Sequence, residues 1–329
     1  MTPRSLRPDD LRLGFSFAQA ALFDPYRPLM ANLVVIRRCN LSCSYCTEYD
    51  SVSPPVAFDT LQKRVGHLAR LRTLVVTLTG GEPLLHPDLA RVVRSVRDFG
   101  MTPAMNTNGF LLTREWIDAL NDAGLYAMQV SVDGVLPNAD SVKSLKTLEP
   151  KLRLLADHAR FRVRVNTVLG AAPADEALAV VRAVTAMGLE AKCSLKRLPD
   201  GTLAPLDEHT RTVYEQISRV GGRQPGVFDE SFQDAMLAGR AREWKCRAGA
   251  RFFHVDEEGR VDLCAPKRGS PGRPLDEYDE DDLERAFHAR KACEARCPVA
   301  YAHQLSRVDM LRTQRGATFP GTRSLAVLP

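Results

Sequence analysis

Three thiols stand within eight residues, in the run Cys39-Asn40-Leu41-Ser42-Cys43-Ser44-Tyr45-Cys46. Thiolates at this C-x3-C-x2-C spacing can hold three corners of a [4Fe–4S] cube and leave the fourth iron without a protein ligand. An open metal position is where chemistry happens; a closed one is usually structural. The competing use of such a loop is a zinc knuckle or a set of buried thiols. Zinc sites usually take four nitrogen or sulfur ligands, often from C-x2-C pairs. This loop supplies three and has no histidine near it.

A second group comprises Cys246, Cys264, Cys293 and Cys297, spaced C-x12-G-x4-C and then C-x3-C. Four thiolates imply a fully ligated centre, either an iron–sulfur cluster or a structural zinc. Cys193 stands alone in Ala191-Lys192-Cys193-Ser194-Leu195. Facing a barrel lumen it could give a hydrogen atom to a substrate radical; otherwise it is a small buried hydrophobe. Lys192, Lys196 and Arg197 beside it could meet an anionic substrate or simply be solvated. A glycine-rich turn, Gly80-Gly81-Glu82-Pro83, completes the set. Glycines let backbone approach a ligand closely, and a carboxylate there could accept from an ammonium group.

The elements that must position these residues alternate. Asn32–Ile36 reads as a strand running into the cysteine loop, Phe58–Leu71 as a helix, and Thr73–Thr79 as a strand ending at the glycine pair. The pattern continues with a helix near Pro87–Phe99, strand Pro103–Asn106, helix Thr113–Ala123 and strand Ala127–Val132. A helical region runs to about Ala159, followed by strand Arg162–Leu169, helix Ala174–Met187 and strand Glu190–Leu195. Six strands alternating with helices predict a parallel sheet. Six units are too few for a closed eight-stranded barrel, so the expected α/β fold is an open, partial (β/α)6 TIM-type barrel with its chemistry at the C-terminal strand ends. Near Pro199-Asp200-Gly201 the register changes. Two helical stretches, about 206–219 and 229–242, precede a hairpin, Arg251–Val255 and Arg260–Cys264. The expected organisation is an N-terminal extension over 1–30, a barrel over 31–200, a small cysteine-rich module over 201–312 and a tail over 313–329.

The 329-residue composition, 44% hydrophobic and 26% charged, is that of an ordinary globular chain. A net charge of +5 without a lysine/arginine block gives no nucleic-acid stripe. No apolar run reaches the roughly 18–20 residues of a membrane span. The N-terminus lacks a continuous apolar segment, so no secretory signal is expected. Eight cysteines in such a cytoplasmic-looking chain favour metal over disulfides.

The cysteine loop after the first strand, with an aromatic before its last cysteine, resembles the radical S-adenosylmethionine (SAM) superfamily. The resemblance implies that the amino and carboxylate groups of SAM fill the open iron position, and that one electron from an external flavodoxin- or ferredoxin-type reductant cleaves SAM to a 5′-deoxyadenosyl radical. Gly80–Pro83 resembles the family's segment for the SAM amino group, and Tyr45 takes the place of an aromatic beside the adenine. Asn106-Thr107-Asn108-Gly109 and Ser131-Val132-Asp133-Gly134 resemble strand-end segments near SAM, which brings Asn106, Ser131 and Asp133 forward as cofactor contacts. Asn and Gly turns at strand ends need no ligand to explain them. Asn166 could point into the barrel, Val168-Leu169 could pack the adenine, and Lys143 is either a partner for the SAM carboxylate or a solvated helix lysine. The second cysteine group is similar to the opening of the SPASM module. Without further cysteines it resembles the shortened "twitch" form, which implies one auxiliary [4Fe–4S] cluster.

The leading expectation is hydrogen abstraction from a small-molecule biosynthetic intermediate, with the auxiliary cluster accepting an electron and an oxidation as the net result. The alternative is crosslinking or epimerisation of a ribosomal peptide. Only about 30 residues precede the first strand, too few for a winged-helix recognition unit, which tilts the expectation towards the small molecule. A non-catalytic iron–sulfur or zinc scaffold is the third reading, opposed by the intact Gly80–Pro83 segment.

Overall fold

The computed structural model describes residues 7–198, 203–221, 231–238, 244–309 and 327–328. Six parallel strands form its centre: β1 (Met30–Ile36), β2 (Val75–Gly80), β3 (Thr102–Thr107), β4 (Ala127–Ser131), β5 (Arg162–Leu169) and β6 (Glu190–Leu195). They lie side by side in chain order. Between them run α2 (Phe58–Arg70), α3 (Leu89–Asp98), α4 (Arg114–Ala123), α5 (Leu145–His158) and α6 (Ala174–Ala186), preceded by α1 (Pro8–Phe23). The expected open α/β barrel of six units is the fold observed.

Successive side chains of a strand point to opposite faces, and the lumen is built on that period. Ala31, Leu33 and Val35 of β1 join Leu61, Val65 and Leu68 of α2 in the main apolar core, whereas Met30 and Asn32 face the cavity. On β4 Met128 and Val130 enter the core, and Ala127 and Gln129 face inward. Caps fix the helix limits: Thr113 Oγ1 accepts from Trp116 N at the start of α4, and Gly124 ends it at φ 81°, where only glycine is unstrained.

The chain continues through α7 (Glu208–Val220) and α8 (Ser231–Leu237), the latter within the expected 229–242 stretch, part of which lies outside the described residues. The expected hairpin is β7 (Phe252–Val255) and β8 (Arg260–Asp262), followed by β9 (Pro271–Pro274), α9 (Glu280–His288) and α10 (Ala300–Arg307). β7 pairs in parallel with β1, so one nine-stranded sheet runs β6-β5-β4-β3-β2-β1-β7-β8-β9. Most of the tail over 313–329 lies outside the described residues. Among the described residues no helix is long and apolar enough to cross a membrane.

The N-terminal segment, read from sequence only as an extension, forms α1 and spans the N-terminal ends of the strands. Asp10 pairs with Arg162 at 2.8 Å and accepts from the Tyr126 hydroxyl at 2.7 Å, and Asp9 pairs with Arg97 at 2.7 Å. The fully buried Arg251 ties the C-terminal end of α1 to the module. Its guanidinium donates to the Ala20, Asp24 and Arg27 carbonyls and pairs with Asp309. Burial opposes ionisation of Asp10, but Arg162, the Arg7 amide and the Tyr126 hydroxyl outweigh it and hold its pKa at about 2, against 3.8 ordinarily. A depressed carboxylate contributes stability that is complete above its unfolded pKa and lost as pH falls towards its folded one. Apo-protein should therefore lose resistance to urea between about pH 4 and pH 2. Asp10→Asn should start weaker and flatten that part of the profile; an unchanged acid limb would refute the assignment.

Candidate active site

The cysteine loop leaves the end of β1 and is closed at its base. Cys39 N donates to Asp50 O at 2.9 Å, and Asp50 N to Arg37 O at 3.1 Å. The glycine turn at the end of β2 presses against this base. Gly81 N donates to Ile36 O at 2.9 Å and Glu82 N to Arg38 O at 3.0 Å. A Cβ on Gly80, which lies at φ 132°, would sit 2.0 Å from Ile36 O, and one on Gly81 would sit 2.2 Å from Arg37 O. Both glycines are thus required by contact between two strand ends, before any ligand is considered.

The Glu82 carboxylate is engaged within the protein. It is 0% exposed and accepts from Thr107 Oγ1 and Asn108 N, each at 2.7 Å, and from Leu84 N at 3.0 Å. Burial pushes its pKa up while these donors pull it down. Through these bonds the carboxylate clamps β2 to β3.

Asp133 is likewise turned inward. It is 0% exposed, accepts from Ser141 Oγ at 2.7 Å and from the Tyr45 hydroxyl, and pairs with Lys143 at 3.1 Å. Lys143 Nζ also donates to the Tyr45 hydroxyl, so it is a buried network member and not a solvated helix lysine. Burial, then the Asp133 charge, pushes the Tyr45 phenol far up and keeps it neutral. The segment between Asp133 and Lys143 straps the cysteine loop down. Ser44 N donates to Asp140 O at 3.0 Å, Lys196 pairs with Asp140 at 2.8 Å, and Ser141 Oγ lies 3.8 Å from Cys43 Sγ.

Asn108, which sequence reasoning passed over for Asn106, donates from Nδ2 to Asn40 Oδ1 at 2.8 Å and to Cys39 Sγ at 3.7 Å. The available signal was its place at a strand end in the Asn-Thr-Asn-Gly run. Asn106, Asn166 and Val168 do face the lumen, as do Tyr45, Lys192 and Arg197. Ser194 Oγ donates to Asn166 Oδ1 at 2.8 Å. Ser131 is half-buried and registers opposite Asn166, whereas Leu169 points into the outer apolar layer. The cavity encloses about 870 Å³ and reaches from α1 through the barrel to α10.

Cys193 does not face the lumen. Its neighbours Lys192 and Ser194 do, and the period of two turns Cys193 outward, 4% exposed, among Leu178, Val181, Val213 and Ile217. The hydrogen-donor expectation is corrected accordingly: the thiol packs beneath α6 and α7.

All eight cysteines are free thiols. Burial raises the Cys39 pKa, with the Glu82 and Cys46 charges adding to it, and Cys43 acts similarly on Cys46. The second group shares one environment: burial pushes Cys246 up to about 12 and Cys297 up to about 11, and raises Cys264, which also feels the other three thiols. Thiols crowded in a dry site ionise only with a compensating cation, and metal centres supply one. Both donor sets therefore fit metal ligation. Among the described residues no three His, Cys, Asp or Glu side chains converge as around a single ion; a cube, with one thiolate per iron, does not require them to. Lys291 Nζ donates to the Cys246 and Ala289 carbonyls at 3.1 and 3.0 Å, and His303 Nε2 to the Cys297 carbonyl at 2.7 Å, between the stacked rings of Trp244 and Phe232.

Residues 33–194 match the Radical SAM superfamily. The chain is 30% identical over 259 residues, 72% of its length, to the PqqA peptide cyclase of Bradyrhizobium diazoefficiens, of which it spans 66%. Two solved structures share the fold. Streptococcus suis SuiB bound to precursor peptide SuiA superposes with a TM-score of 0.61 at 12% identity, covering 92% of this chain and 77% of that one. The anSMEcpe structure with bound AdoMet and a peptide gives 0.60 at 14% identity, covering 88% and 98%.

Proposed function

Because the chain belongs to the radical SAM superfamily, carried by residues 33–194, we propose that it modifies a peptide, forming a crosslink at an unactivated C–H bond, and holds an auxiliary [4Fe–4S] cluster in its C-terminal module. The observation that carries the peptide reading is the relation to a PqqA peptide cyclase across 72% of this chain. It favours the alternative considered from the sequence over the small-molecule dehydrogenation placed first there. The lumen is in keeping with it: Asn32, Asn106, Gln129 and Asn166 line one cavity, and carboxamides offer the donor and acceptor that a peptide bond needs.

When bound, the cluster held by Cys39, Cys43 and Cys46 and its SAM supply a 5′-deoxyadenosyl radical. Around that chemistry, Asn108 steadies the Cys39 sulfur, and Asp140 and Ser141 hold the loop closed. The Gly80–Pro83 segment would meet the SAM ammonium. Asn106, Ser131 and Asn166 supply polar contacts at the strand ends, with Tyr45 beside the adenine. Cys246, Cys264, Cys293 and Cys297 would ligate the auxiliary cluster, which would supply an electron-accepting centre. A flavodoxin- or ferredoxin-type protein supplies the electron that starts the reaction.

The test is anaerobic reconstitution, reduction, and addition of SAM with peptides encoded beside its own gene. The expected result is 5′-deoxyadenosine whose yield rises with one peptide, and a peptide product lighter by two hydrogens. Stimulation by small metabolites and by no peptide would return the reading to small-molecule oxidation.

A further inference from the structure

Tyr301 stands between the lumen and the second cysteine group. It lies in the first turn of α10, four residues after Cys297. Its ring lines the cavity and meets the fully buried Phe252 edge-on, 5.4 Å between centroids. Its hydroxyl is buried and has no hydrogen-bond partner among the described residues. Buried polar groups are rarely left in that state. Its side chain packs against the buried layer that contains Cys246, Phe252 and Cys264. Among the described residues the hydroxyl proton thus has no acceptor, and a thiol at Cys264 is only a weak one. A metal-bound thiolate at Cys264 would be a strong one.

We propose that Tyr301 is a positioning residue of the four-cysteine centre, its hydroxyl donating to the Cys264 sulfur when that sulfur is a metal-bound thiolate and so setting the centre's reduction potential. The proposal rests on reading the four cysteines as a cluster site. A hydrogen bond to a cluster sulfur stabilises the reduced state, which carries more negative charge, and raises the potential. Tyr301 also forms the wall between the cavity and this centre, so the tuning contact sits on the side from which an electron would arrive.

The experiment compares full-length chain with its Tyr301→Phe variant, both carrying Cys39→Ala, Cys43→Ala and Cys46→Ala so that only the second centre is loaded. Iron content and the midpoint potential, followed by electron paramagnetic resonance, are the readouts. Phenylalanine keeps the ring packing on Phe252 and removes only the hydroxyl. The expected result is equal iron and a more negative potential, with the reduced-to-oxidised ratio at a fixed poise falling by at least about threefold. Equal iron with an unchanged or more positive potential would overturn the proposal. So would loss of iron from a folded Tyr301→Phe variant, which would assign the residue to holding the centre. Failure of the Tyr301-containing protein to take up a cluster would overturn the cluster reading itself, and is distinguishable because the defect precedes the Tyr301 substitution.

Discussion

Cys46→Ala is expected to eliminate reductive SAM cleavage, lowering 5′-deoxyadenosine by more than about a hundredfold, beyond what loss of an outer-shell partner alone costs. Cys46 has no understudy. Its loop is fixed at the base by the Asp50 pairing and along its length by Asp140, and Cys46 N donates to Cys43 O at 3.1 Å. No other cysteine is part of this loop. Two remaining thiols cannot hold a cube in register. Cys193→Ala is the matched control, because it removes a thiol from the apolar layer behind β6. It should cost about 1 kcal/mol of stability and leave SAM cleavage intact. Product formed by Cys46→Ala, or lost in Cys193→Ala, would reverse the assignment of the two thiols.

Arg251→Met is expected to be the most damaging change outside the cysteines, costing about 3–5 kcal/mol. Arg251 is completely buried and donates to the Ala20, Asp24 and Arg27 carbonyls while pairing with Asp309. Methionine fills much of the volume but leaves those carbonyls without this donor and removes one cation from a buried carboxylate. Arg247 remains 3.2 Å from Asp309, which favours the lower end of the range. The double variant Arg251→Met/Asp309→Leu should be less destabilised than the sum of the singles, because the second change removes the charge that the first leaves exposed to poor solvation. Strict additivity in chemical denaturation would show that the pair does not act as a unit.

The barrel was legible because its signals are local. β-branched runs such as Thr73–Thr79 and the spacing of Leu61, Val65 and Leu68 read directly as a strand and a helix face. The cysteine groups were legible for the same reason. Other features depend on long-range register. Cys193 was placed on the right strand, but its face follows from Lys192 and Ser194 pointing inward, and a period of two cannot say which parity faces the lumen. Glu82 and Asp133 stand in the expected segments, yet their carboxylates are consumed by Thr107, Asn108, Ser141 and Lys143, partners brought to them by neighbouring strands and by the strap. Asn108 shares its strand-end run with Asn106, and only the distance to Cys39 separates the two; Tyr301 has no local mark and depends on what Cys264 becomes.

The parallel ladder from Met30↔Phe252 to Leu33↔Val255 has a consequence for dissection of the chain. A truncation before β7 would strip the partner from β1 and bare a long, apolar strand flank in the middle of what is now a continuous sheet. Unprotected flanks of that kind recruit other chains and precipitate. The segment carrying the second cysteine group is thus a chaperoning cover for the flank of β1, apart from its proposed role in holding a second cluster. Shortened versions made to isolate the first cluster should be insoluble for reasons unrelated to iron, and silencing the second centre by point substitution is the cleaner route.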